Sequence, residues 1–162
     1  MQTVCERPRA SIFQIGHPQP TAPELGRLAE LWRQAWSRRQ WPPSRGDLSF
    51  LDLRPWLGRI AVFDVATNPV RVTLWGSALV EETGMELTGR TVDTASFGLY
   101  ACELAGLLRA AAASMEPVLD HGDMTWCDRP WRRRERLFLP FSDGGGDVTR
   151  IVVANAEPRD HA

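Results

Sequence analysis

The chain has 162 residues, 43% hydrophobic and 24% charged, with a formal net charge of -1. That is the size and composition of one globular domain with its own core, and the charge excludes a bulk electrostatic pull toward nucleic acid or anionic membrane. No apolar run approaches the roughly 20 residues that span a bilayer. The opening residues lack the apolar stretch of a signal peptide, and Cys5, Cys102 and Cys127 have no metal-like spacing, so a reduced, cytoplasmic chain is expected.

Residues 1–22 contain Pro8, Pro18 and Pro20 and no sustained period, and read as an N-terminal arm. Thr21 and Glu24 stand three apart around Pro23, the pattern of a capping box. A cap helix over residues 23–41 should follow, with Leu25, Leu28, Leu31, Trp32, Ala35 and Trp36 in one apolar stripe. Pro42 and Pro43 end it. Residues 47–53 predict a short helical turn stopped by Pro55. Residues 59–65 and 70–75 predict two strands joined through Thr67, Asn68 and Pro69 as a hairpin. Ser77 should open a short helix that Gly84 closes. A longer helix is expected over residues 98–114, alanine-rich, with Leu104, Leu107, Leu108 and Ala111 as its buried stripe. Strands over 118–126, 133–141 and 148–156 complete the domain, the last two joined by a glycine-rich turn at 143–147.

Strands at both ends of a helical middle predict an α+β fold: a five-stranded antiparallel sheet with helices on one face. The expected organisation is an arm (1–22), one domain (23–157) and a C-terminal tail (158–162). Ile60 and Val62 alternate with Ala61 and Phe63, and Phe138 lies between Leu137 and Leu139, so both faces of the sheet are apolar. Such a sheet needs a second cover. The N-terminal amphipathic helix supplies it, in its own chain or against a partner subunit.

Several runs together resemble a known family. They are LDLRPWLGRI at 51–60 with Asp64, LWGS at 74–77, EETG at 81–84, LTGR at 87–90, and ERLFLPFS at 135–142 followed by Asp143 and Gly144. In this order, over about residues 24–157, the chain resembles PAS domains, and more narrowly a bacterial subfamily of short, stand-alone PAS proteins. The resemblance implies a PAS fold and a sensory or dimerising role, with any ligand held between sheet and middle helices. The candidate lining is Val62, Leu74, Leu79, Met85, Tyr100, Leu104, Leu108, Met124, Leu139 and Val152, and the competing reading is a filled core.

No cofactor is expected. Heme-binding PAS sensors present a histidine from or near the long helix, whereas residues 98–114 contain none, and His17, His121 and His161 lie in the arm, a strand and the tail. Flavin photoreceptors of the family use an Asn-Cys-Arg motif that is absent here. Cys102 on the long helix reads as an inert buried thiol, and Cys127 as a residue near a loop. Arg129, Arg132, Arg133, Arg134 and Arg136 with Trp126 and Trp131 form one basic-aromatic cluster, read as a solvated loop in preference to an anion or nucleic-acid patch. No nucleophile elbow, metal-spaced histidine pair or phosphate loop occurs.

The sequence thus predicts a non-enzymatic regulatory module acting through protein contacts. Leu25, Leu28, Trp32 and Trp36 are its expected homodimer interface, and a separate signalling protein is its output partner. A small-molecule sensor is the alternative, and a nucleic-acid or anion binder using Arg129 to Arg136 is the disfavoured third reading.

Overall fold

The computed structural model describes residues 13–39, 42–44, 50–143 and 146–159. Its strands are β1 (Phe13–Ile15), β2 (Ile60–Asp64), β3 (Arg71–Trp75), β4 (Val118–Met124), β5 (Arg129–Ser142) and β6 (Val148–Ala156). They form one antiparallel sheet in the order β1-β4-β5-β6-β2-β3. The five expected strands are present. A sixth, β1, lies inside what reads as an arm and adds to β4, pairing Phe13 with Asp120 and Ile15 with Val118. Three residues are too few to show a period of two, which is why the strand was invisible in sequence.

Helix α1 (Pro23–Arg39) covers one face of the sheet. Its stripe of Leu25, Leu28, Trp32 and Ala35 packs on Ile60, Leu119, Leu137, Leu139, Val152 and Ala154. Burial of each such leucine stabilises by about 1.5–3 kcal/mol. This corrects the expected homodimer interface. Leu25, Leu28 and Trp32 are spent on the chain's own sheet, with Trp36 partly buried against the same cluster. Trp32 Nε1 donates to the Pro140 carbonyl at 2.8 Å, and its ring stacks on Trp36 at 5.3 Å.

The opposite face carries α3 (Ser77–Thr83), α4 (Thr94–Phe97) and α5 (Tyr100–Ser114). A short α2 (Phe50–Leu53) runs into a 3-10 turn at Arg54–Arg59 before β2, and the expected start of this turn at residues 47–49 lies outside the described residues. Gly84 ends α3 in the left-handed region, at φ 73°, and its N–H bonds to the Val80 carbonyl. Gly76 answers to a close approach: a Cβ there would stand 2.3 Å from the Gly58 carbonyl oxygen. The β5–β6 hairpin closes with Ser142 opposite Val148, while the centre of its glycine turn, residues 144–145, lies outside the described residues.

Candidate functional site

Between the sheet and α4–α5, the space is filled. Trp75, Phe97, Tyr100 and Trp126 meet there, with ring centroids of Phe97 and Trp126 5.6 Å apart, Tyr100 and Trp126 5.6 Å, and Trp75 and Phe97 6.0 Å. The cavity left among them is about 30 Å³. That is room for about one water. Neither a heme nor an isoalloxazine ring fits, and no cysteine or histidine lines the space.

Of the expected lining, Leu79, Tyr100, Leu104 and Leu108 lie in this layer, and Met85 packs against it. Val62, Leu139 and Val152 face α1 instead, and Leu74, opposite Val62 on edge strand β3, is 41% exposed. Met124 is buried at the end of β4 but belongs to neither core cluster. The cause is strand phase. Side chains alternate between faces, so Ala61, Phe63, Phe138 and Val153 point to the helices while their neighbours point to α1. With both faces apolar, the sequence does not mark which phase is which.

Glu135 and Arg136, the latter expected in a solvated cluster, are both buried. Glu135 faces α1. Its carboxylate accepts hydrogen bonds from Thr21 N at 2.8 Å, Thr21 Oγ1 at 2.9 Å and Ala22 N at 2.7 Å, and His121 Nε2 stands 3.5 Å away. The expected capping box is therefore replaced. Glu135 from β5 takes the place of Glu24, which pairs at 3.7 Å with Arg59. A carboxylate at a helix N-terminus also complements the helix dipole.

Arg136 faces α5. It bonds to Asp120 Oδ2 at 2.7 Å, Tyr100 Oη at 3.1 Å and the Asp123 carbonyl at 3.0 Å, and its guanidinium carbon lies 4.7 Å from the Tyr100 ring centroid. Burial pushes the Tyr100 hydroxyl well above the usual phenol range, only partly countered by the Arg136 charge.

The arginine cluster divides into tied and untied members. Arg129 donates to the Cys127 carbonyl at 2.8 Å and to the Thr83 carbonyl at 3.4 Å. Arg134 grips Glu82 through two nitrogens, at 3.1 and 2.9 Å, and reaches Glu157 at 3.2 Å. With Arg136 on Asp120, these three are tied internally. Arg133 is exposed, and Arg132 lines a polar cleft at the end of the sheet.

Cys102 departs from the expected inert thiol. It is disulfide-bonded, and Cys127 is buried, its thiol pushed up by that burial. His17 is exposed, and His161 lies outside the described residues. Among the described residues no group of three or more His, Cys, Asp and Glu side chains is placed to hold a metal ion, and no helix is long and apolar enough to cross a membrane.

No protein-family model matches the chain, and no curated protein matches it. Solved structures do. An RNA-binding light-oxygen-voltage receptor superposes with a TM-score of 0.50 at 15% identity over 91% of this chain. This chain spans 39% of that receptor's length. The PAS domain of Bordetella pertussis BvgS aligns at 20% identity and TM-score 0.46, covering 70% of this chain and 86% of its own. The Aureochrome1 light-oxygen-voltage domain aligns at 11% identity and TM-score 0.46, covering 69% and 91%. The element order, the antiparallel sheet and the first of these superpositions agree: this chain has the fold of a PAS domain.

Proposed function

We propose that this chain is a non-enzymatic PAS regulatory module whose output is a contact with another protein, in the first instance a second copy of itself. The supporting observation is two exposed apolar side chains, Trp131 near the start of β5 and Leu99 at the α4–α5 junction. Trp131 is 73% exposed and Leu99 is 92% exposed. Leu99 follows Gly98, where an added Cβ would meet the Trp126 carbonyl oxygen at 3.9 Å, so the α4–α5 junction abuts the β4–β5 connection. Exposed tryptophan is the side chain most enriched at the energetic centre of protein interfaces. The N-terminal helix face does not serve this purpose, being buried on its own sheet.

The small-molecule reading loses its expected chamber, since about 30 Å³ admits no organic cofactor. The RNA of the similar light-oxygen-voltage receptor is not carried over either, because three of the five clustered arginines are tied internally.

Sedimentation of the wild-type chain and of Trp131→Ala with Leu99→Ala tests the reading. Self-association should weaken by about tenfold or more in the double variant, equivalent to about 1.4 kcal/mol or more. A wild-type chain that stays monomeric, or a variant that associates equally well, would remove this surface from consideration.

A further inference from the structure

Apart from the PAS chamber, a cleft of about 410 Å³ lies at the end of the sheet. Its walls come from the start of α1, the 3-10 turn, α3, β5 and the segment after β6. Four arginines and three glutamates line it, with Asn155, Ala156 and Pro158. There is no aromatic wall, so neither a nucleobase nor a hydrophobic ligand finds a stacking partner.

The charges in this cleft are unequally committed. Arg59 pairs with Glu24, and Arg134, buried, holds Glu82 with two nitrogens. Its third nitrogen, Nη1, donates to the Arg133 carbonyl at 2.8 Å and to Glu157, a side chain 77% exposed, at 3.2 Å. Among the described residues, the Arg132 and Arg159 guanidiniums have no ion-pair partner. A buried guanidinium thus turns one N–H of Nη1 to an exposed surface carboxylate, with two guanidiniums lacking an ion-pair partner among the described residues on the same cleft. Guanidinium forks match carboxylate and phosphate oxygens in plane and spacing.

We infer that this cleft binds a small hydrophilic anion, a carboxylate or phosphate compound, whose oxygens displace Glu157 from Arg134 and engage Arg132 and Arg159. Displacement acts at a junction of the fold. The backbone N–H of Arg159 donates to Thr21 Oγ1 at 2.8 Å, and Thr21 is held by Glu135 at the start of α1. An anion that draws away Glu157 therefore works on the segment that ties β6 to α1. The inference stands independently of the protein contact proposed above, which uses other residues.

Calorimetric titration with citrate and, separately, with inorganic phosphate tests it, in dilute chloride buffer with ionic strength matched between arms. Saturable binding of at least one anion is expected, and the stronger arm identifies carboxylate or phosphate as the preferred group. Arg132→Ala with Arg159→Ala should weaken binding by about tenfold or more. Glu157→Gln should tighten it several-fold by removing the competing carboxylate. Thermal unfolding of each variant checks that the fold is intact. Neither anion binding at millimolar concentration, equal binding by the double arginine variant, or weaker binding by Glu157→Gln would each overturn the inference.

Discussion

Glu135 and Arg136 are neighbours on one strand, carry opposite charges, and are buried on opposite faces of the sheet. Each face removes its charge from water differently. Toward α1, Glu135 is met by neutral donors: two backbone N–H groups and a hydroxyl at the first turn of the helix. Toward α5, Arg136 is met by a full countercharge, Asp120, itself wholly buried. Both charges are out of water, Glu135 fully and Arg136 nearly so. The two halves of the ion pair depend on each other, whereas the Glu135 carboxylate is shared among neutral donors. The difference teaches that one face is fastened by a helix start and the other by an ion pair.

The largest effect should follow from breaking the ion pair. Asp120→Ala leaves the Arg136 guanidinium buried without a counterion, which costs about 3–5 kcal/mol. Urea unfolding measures it. Adding Arg136→Met should restore most of the loss, because replacing both halves removes the uncompensated charge. If the double variant is no more stable than the single one, the two residues are not a coupled pair.

At the start of α1 the loss should be smaller. Glu135→Ala deprives three neutral donors of their acceptor but leaves no buried charge without its counterion, for about 2–3 kcal/mol. Hydrogen exchange should then quicken in α1 and leave α5 unchanged. Uniform acceleration across both helices would contradict the separation of the two faces. Glu135→Gln retains one acceptor oxygen and should recover about half of the loss.

Much of the architecture could be read directly from the residues. The leucine and tryptophan spacing of α1, the strand at 148–156 and the need for two covers on the sheet all follow from local period and turn chemistry. What escaped was non-local. Glu135 caps α1 across 113 residues, a pairing that no local spacing can reveal, and Thr21–Glu24 imitates a local cap well enough to hide it. The chamber was half legible: helix periodicity placed Leu104 and Leu108, but a strand apolar on both faces carries no mark of phase, so Val62, Leu139 and Val152 were assigned to the wrong side. Phe97 and Trp126 fill that chamber from a one-turn helix and a 3-10 turn, segments too short to show a buried face.

The smallest expected effect sharpens the α5 face most selectively, because Tyr100 is the single tyrosine of the chain. Burial raises its hydroxyl above the ordinary value of 10.0, with Asp120 and Glu103 acting in the same sense and Arg136 opposing them. The unfolded chain releases this proton near pH 10, whereas the folded chain retains it, so the folded state binds more protons above that point. The stabilisation is complete below about pH 10 and falls as pH rises beyond it, by at most about 1.4 kcal/mol per pH unit. Phenolate absorbance should therefore appear together with the loss of helical circular dichroism. In Tyr100→Phe, this part of the alkaline slope should vanish from a plot of unfolding free energy against pH. A phenol that titrates near pH 10 while the helix signal holds would mean that water reaches Tyr100, and that the α5 face is not sealed around the Arg136–Asp120 pair.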